Sequence, residues 1–388
     1  MNESSRDLIR QNQLVETLIA PQPVVIGLEG GPCSGKTTLA EEVCSRSEAD
    51  GRAVVVIPEA ATIHISRLAA LGKTMPEVIA NRPAFLQLQR DILGTIIDNI
   101  SRAKLGAAGT DTIILVDRPD VGGYITSEEY KTVLEDVGQT MPPIHSLVDK
   151  LIFLPSVATE SPERYAALQG TNTARYETSA EVAAAVGAAN LRAIKTHPEL
   201  YVAWGGSFPD KVRSLAAMIL SPEIEGEIKQ AVPNEAAETF LGESSNKGNL
   251  LNTMEITQSY YKSRFSNYRL RTSRGDDGFV HRYFTVKQGE GVFRNELQRS
   301  LDENQYQLLA RGQRVGRVLH KLRHVILDDE DVVGKRRLWF ADKYTGPYLS
   351  EWHFETGVDT RAEAQALQVA YAGTRRAVIE SAKALIFK

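Results

Sequence analysis

Eight consecutive residues constrain this chain more tightly than any others. Gly30-Gly31-Pro32-Cys33-Ser34-Gly35-Lys36-Thr37 follows the apolar run 24–28 at once, and residues 38–43 continue with helical periodicity. The pattern is GxxxxGK[ST] between a buried strand and a helix, which points to a strand-loop-helix unit of a parallel α/β sheet. Backbone N–H groups of such a loop turn inward to a polyphosphate, a side chain at Gly35 would obstruct them, and the helix aims its positive end at the same charge. Lys36 then reaches the β and γ phosphates and Thr37 offers its hydroxyl to Mg2+, so that Gly30 to Thr38 form the expected cradle for ATP or GTP. The plainer reading, a glycine-rich turn that caps a helix, leaves Lys36 unexplained.

The rest of the chain divides by periodicity. Residues 53–57, 112–116 and 150–154 read as further buried strands separated by helix-length stretches, an α/β cadence. Residues 5–20 carry a helical rhythm that Pro21 and Pro23 break. Near residue 221 the period drops to two, over 254–260, 267–272, 282–287, 292–297, 317–326, 337–344 and 348–355, which predicts antiparallel strands. Residues 233–250, rich in Asn, Ser, Glu and Gly, read as a long loop, and the Ala-rich 360–388 as a closing helix. The expected domains are a helical lead at 1–22, an α/β P-loop nucleotide-binding domain at 23–220 and a β-barrel domain at 221–388.

Composition narrows the partners. Among 388 residues, 45 Lys and Arg stand against 49 Asp and Glu, so no global basic field exists for nucleic acid and any anion site is local. No apolar run approaches the roughly 18 residues of a membrane helix, and residues 1–20 are too polar for a signal peptide. Cys33 and Cys44 cannot form a disulfide framework, and the chain reads as cytoplasmic.

Several residues fall where a phosphate site needs them. Glu59 closes the second apolar run and Asp117 the third, at the strand ends where such sheets keep their chemistry. Asp117 is the candidate Mg2+ partner through water, and Glu59 the candidate base for an acceptor hydroxyl. The alternative for each is a cap on the following helix. Arg118 suits a phosphate or Asp120, and Gln89 and Arg90 lie on a helix that suits an acceptor. Arg175 is either a lid arginine that stabilises charge during transfer or a solvated side chain. Gly30 to Thr37, Glu59, Asp117-Arg118 and Arg175-Tyr176-Glu177 together resemble the P-loop, AAA-like domain of the NadR and TRPL translocation defect type, a relative of nucleoside and nucleotide kinases. With Lys36, Glu59, Asp117 and Arg175 as its catalytic groups, such a domain would transfer or hydrolyse a phosphoryl group.

In the second half, charge occupies one parity of each strand. Arg269 and Arg271 alternate with Tyr268 and Leu270, and Tyr283, Thr285 and Lys287 with Phe284 and Val286. Arg294, Glu296 and Gln298 alternate with Phe293 and Leu297, Lys321 and Arg323 with Leu322, and Glu351, His353 and Glu355 with Trp352 and Phe354. A single strand of this kind is an ordinary half-buried strand with a solvated face. Across the whole set, Glu, Lys and Arg stand where Ser or Thr would serve, which implies a closed sheet whose lumen carries both signs of charge. A polyphosphate with a divalent cation would balance it.

This pattern resembles the CYTH domain, the triphosphate tunnel metalloenzyme fold, over about residues 221–356. The resemblance implies that Arg269, Arg271, Lys287, Arg294, Lys321 and Arg323 hold phosphates, and that Glu223, Glu225 and Glu351 hold Mg2+ or Mn2+. Two positions depart from the family: its opening ExExK matches 223–227 with Glu227 in place of the lysine, and its later pair of glutamates becomes Glu351 and His353. The expected protein is an ATP- or GTP-binding, Mg2+-dependent P-loop protein fused to a polyphosphate-binding barrel and acting on a phosphorylated small molecule. The other class is a non-catalytic, nucleotide-regulated sensor of polyphosphate or a phospholipid headgroup, which the two departures favour.

Overall fold

The computed structural model describes residues 3–168, 179–203, 207–221, 224–232, 234–289, 293–327, 338–345, 352–357 and 365. The chain forms two compact units, Pro21–Leu220 and a second that joins Met1–Ala20 to Ser221–Lys388. Helix α1 (Glu3–Ile19) therefore belongs with the later part of the chain.

The first unit contains β1 (Val24–Gly30), α2 (Lys36–Asp50), β2 (Val54–Ile57), α3 (Ala60–Ala70), α4 (Met75–Ala80), α5 (Arg82–Gly106), β3 (Ile113–Asp117), α6 (Ser127–Asp136) and α7 (Pro143–Ser146). It continues with β4 (Lys150–Leu154), α8 (Val157–Glu160), α9 (Pro162–Leu168), α10 (Ala180–Ile194), β5 (Leu200–Val202) and α11 (Phe208–Leu220). Its five strands are parallel in the order β2-β3-β1-β4-β5. Parallel strands are covered on both faces, which is why β1, β3 and β4 read as unbroken apolar runs. On one face Ile26, Leu28, Ile113, Leu115, Ile152 and Leu154 pack with Leu39 and Val43 of α2 and Val212, Leu215 and Ile219 of α11. Along the other, α5 lies against β2 and β3 and buries Leu88, Ile92, Ile96 and Ile100. Asn81 starts α5 by accepting the Ala84 N–H, and Gly51 at φ 71° ends α2. With β1 central, the loop after it, Glu59 beyond β2 and Asp117 ending β3 all lie at one edge of the sheet.

The second unit contains β6 (Ile224–Val232), α12 (Asn234–Asn246), β7 (Leu250–Lys262), β8 (Asn267–Arg274), β9 (Val280–Gln288), β10 (Phe293–Ser300), α13 (Glu303–Ala310), β11 (Gln313–Leu327), β12 (Leu338–Thr345) and β13 (Trp352–Gly357). The strands close into an antiparallel barrel in the order β10-β6-β13-β12-β11-β7-β8-β9, and β9 pairs with β10 to complete it. Residues 233–250, expected as a loop, instead carry α12. Ala237, Phe240 and Leu241 recur at helical spacing and pack on Trp339, Trp352 and Phe354, and that narrow apolar stripe outweighs a polar composition. Val15 and Leu18 of α1 pack with Tyr261, Tyr268, Leu270, Phe284 and Leu309. Buried Gln11 donates to the Tyr268 hydroxyl at 2.7 Å, so α1 is part of the barrel's wall. The apolar parity of the strands thus faces outward beneath α1, α12 and α13, and the charged parity faces the lumen. The closing helix expected at 360–388 lies outside the described residues, Gln365 apart. Among the described residues no helix is long and apolar enough to cross a membrane.

Candidate functional site

Gly30 to Thr37 lead from the end of β1 into α2, with Gly30 at φ 152°, Cys33 at φ 55° and Gly35 at φ 88°. Two of these left-handed positions are glycine for stated steric reasons. A Cβ at Gly30 would stand 2.1 Å from the Leu154 carbonyl oxygen, and one at Gly35 would stand 2.4 Å from the Phe208 ring. The left-handed backbone at position 35 favours glycine there whatever occupies the cradle. Ser156 braces the loop by donating its hydroxyl to the Pro32 carbonyl. The Lys36 ammonium is buried and folds back over the loop, donating to Gly30 O at 3.3 Å, Gly31 O at 3.4 Å and Ser34 Oγ at 3.3 Å. Burial, then Arg118, push its pKa down. Thr37 and Thr38 are exposed at the start of α2.

Beside the loop, Arg118 organises the carboxylates. It stands at φ 54°, donates from Nη1 to Glu59 Oε1 at 2.7 Å, and lies 4.0 Å from Glu29 Oε1 and 5.4 Å from the Tyr124 ring centroid. Its sequence-stated partner Asp120 instead accepts from the Tyr130 hydroxyl and the Gly122 N–H. Glu59 also accepts from the Thr62 hydroxyl at 2.7 Å. Asp117 is mostly buried, burial raises its pKa against the pull of Lys36, and its Oδ1 makes no hydrogen bond among the described residues. An idle carboxylate oxygen and an exposed threonine hydroxyl are both the hard oxygen donors a divalent cation takes, so the donor chemistry of Thr37 and Asp117 fits Mg2+. Gln89 lines a cleft next to Arg118, whereas its neighbour Arg90 turns to Asp136. Arg175 lies outside the described residues.

Glu29 is a site residue that the sequence reading passed over. Its Oε1 accepts the Gly30 N–H at 3.0 Å and the Asn190 amide at 3.3 Å, and burial pushes its pKa up to about 7 against Arg118 and Lys36. The signal was a carboxylate ending an otherwise apolar strand. A folded pKa above the unfolded 4.5 means that the folded state binds more protons between pH 4.5 and about 7, so stability falls as pH rises through that window. Denaturant melts of the wild type and Glu29→Gln are expected to show the wild type losing ground over that window, with no further loss above it. A constant difference between the two proteins would show that Glu29 keeps its ordinary pKa.

In the barrel, Arg269, Arg271, Lys287, Arg294, Lys321 and Arg323 share the lumen parity, as expected from their alternation. Arg323 donates to Asp342 at 2.6 Å and 2.7 Å and to Glu355, and Lys321 also donates to Asp342. Elsewhere in the lumen, Glu296 pairs with Arg269 at 3.3 Å and with Lys287, and Arg271 donates to Gln298 at 2.8 Å. Asp342 is fully buried; burial works to raise its pKa, and Arg323 and Lys321 outweigh it and hold the carboxyl below its ordinary value. Asp342 was missed although it breaks the apolar run 338–341.

The expected metal ligands Glu223 and Glu351 lie outside the described residues, and Glu225 pairs through its backbone with Arg294. The opening motif needs a correction that the sequence itself carries, in Lys229. β6 begins at Ile224, and positions 225, 227 and 229 share one parity, with Lys229 opposite Glu355. The pattern ExExK therefore stands complete as Glu225-Gly226-Glu227-Ile228-Lys229, two residues beyond the expected frame, and Glu227 replaces no lysine.

Residues 25–192 match the model of the AAA_28 family, described as an AAA domain. None of the curated proteins compared with the chain matches it. Among solved structures, a candidate adenylate cyclase from Bacillus halodurans is similar at 13% identity and TM-score 0.31, covering 42% of this chain and 97% of its own. The inorganic triphosphatase NE1496 is similar at 20% identity and TM-score 0.22, covering 37% of this chain and 78% of its own.

Proposed function

We propose that the first unit binds ATP or GTP with Mg2+ and transfers or hydrolyses its terminal phosphoryl group, and that the barrel binds a polyphosphate. The observation that carries the first part is the loop itself: Lys36 already sits on the carbonyl and hydroxyl oxygens of Gly30, Gly31 and Ser34, ready to exchange them for phosphate oxygens. Loop N–H groups and the start of α2 hold the phosphates, while Thr37 and Asp117 would hold Mg2+, which supplies charge neutralisation at the phosphate oxygens. Glu59, held in place by Arg118, is positioned to receive the proton of an acceptor hydroxyl or water. Arg175 is proposed to close over the transferring group. The residues behind the resemblance to the NadR and TRPL translocation defect type support the same reading. The test is phosphate release from a panel of nucleotides, tripolyphosphate and thiamine triphosphate with Mg2+ or Mn2+. Nucleotide binding without any turnover would leave the regulatory reading, which His353 on the lumen parity supports.

For the barrel, Arg269, Arg271, Lys287, Arg294, Lys321 and Arg323 are the proposed phosphate ligands, with Glu223, Glu225 and Glu351 as proposed ligands of Mg2+ or Mn2+. The lumen parity carries these cations together with the carboxylates of Glu225, Glu227, Glu296, Asp342 and Glu355, a mixed lining that an anionic guest with a divalent cation would balance. Reversing the charge of Lys287, in Lys287→Glu, is expected to weaken tripolyphosphate binding by about a hundredfold and to spare nucleotide binding. Unchanged tripolyphosphate affinity by calorimetry would count against the lumen as an anion site.

A further inference from the structure

Beside the phosphate loop lies a buried carboxyl with more acidic neighbours than basic ones. Glu29 is only 2% exposed. Lys36 faces it from the start of α2, Arg118 and Asp120 from the segment after β3, and Asn190 from α10, with the Tyr124 hydroxyl close to both Arg118 and Glu29. Glu59 and Asp117 meet the same two cations. Among the described residues, Glu29, Glu59, Asp117 and Asp120 thus share Lys36 and Arg118, and negative charge is in excess before any nucleotide arrives. A polyphosphate in the loop adds more of the same sign, so the cluster accepts a proton more readily than a further charge. Glu29 is the member placed to hold it. Its Oε1 accepts the Gly30 N–H at 3.0 Å and the Asn190 amide at 3.3 Å, whereas Arg118 stands off at 4.0 Å and gives its close contact to Glu59 at 2.7 Å. Asn190 Oδ1 is buried and makes no hydrogen bond among the described residues. An idle acceptor of this kind suits a carboxyl that carries a proton, the only form that can donate. Burial already pushes the Glu29 pKa up to about 7 and that of Asp120 up to about 6, and it pushes that of Lys36 down.

We infer that Glu29 is a working part of the phosphate site, which takes up a proton at this carboxyl when a nucleotide binds. The inference rests on the proposed binding of ATP or GTP by the same loop. The proton comes from solvent and returns there on release. Its consequence is regulation of the site by pH. Below about pH 7 the free protein already holds the proton, and binding needs no uptake. Above that, the free protein has lost it and must regain it, so affinity falls as pH rises until the bound state loses the proton as well.

The test is calorimetric titration of the full chain with a non-hydrolysable ATP or GTP analogue and Mg2+, in buffers of different ionisation enthalpy between about pH 7 and about pH 8.5. Heat that survives in Lys36→Ala belongs to the barrel and is subtracted. The analogue's own protons are common to every protein, so differences between proteins report the chain. The wild type is expected to take up about half a proton more than Glu29→Gln, whose amide stands for the protonated carboxyl. It is also expected to lose about tenfold in affinity across that range while Glu29→Gln stays flat. Asp120→Asn is expected to keep the wild-type uptake. Equal proton counts in the wild type and Glu29→Gln would place the proton on Lys36 or another group and overturn the inference alone. If Glu29→Gln fails to fold, the other two proteins decide: uptake in both supports the inference, and no uptake by the wild type, or its loss in Asp120→Asn, overturns it. Failure of both analogues to bind overturns the underlying reading and this one with it.

Discussion

Lys36→Ala is expected to weaken binding of MgATP or MgGTP by about a hundredfold, the loss of roughly 3 kcal/mol of charge-assisted hydrogen bonding. In the protein the ammonium is buried against Gly30, Gly31 and Ser34, so its removal takes away the loop's own positive charge. Calorimetric titration reads the effect directly. Affinity close to that of the wild type would mean that the loop is a helix-capping turn. Tripolyphosphate binding by the barrel serves as the internal control and is expected to stay unchanged.

Asp342→Ala is expected to destabilise the barrel by about 3–5 kcal/mol, because it removes the buried carboxylate that Lys321 and Arg323 share. Glu355 remains beside Arg323. Denaturant unfolding followed by the fluorescence of Trp339 and Trp352, which are buried on the outer face of the same strands, reports on this unit once Trp204 of the other unit is replaced by Phe. A change below about 1 kcal/mol, the range of solvated ion pairs, would show that water reaches the cluster and that the lumen is wet.

Much of the architecture could be read before any coordinates because its determinants are local. The loop 30–37 is dictated by eight adjacent residues, and the lumen cations follow from strand parity alone, which fixes the face of Arg269 or Lys321 without knowledge of their partners. What escaped depends on distant parts of the chain. Asp342 acquires meaning only when β12 lies beside β11 and delivers it to Arg323. The frame of ExExK was misplaced although the sequence itself completes the pattern two residues on, at Lys229, because the run of glutamates at 223, 225 and 227 drew the frame to its first member. In α12 a loop-like composition hides three apolar residues whose value depends on Trp352 and Phe354 being there to receive them.

The docking of α1 on the barrel has a consequence for how the chain reaches its final form. Gln11 and Tyr268 are 257 positions apart, and the whole unit Pro21–Leu220 lies between them in sequence. During synthesis the leading helix emerges with Val15 and Leu18 uncovered and must wait for strands made last, while the intervening unit can complete itself early. Such a long-range closure is slow, and the waiting apolar stripe is the part of the nascent chain most in need of protection from premature association.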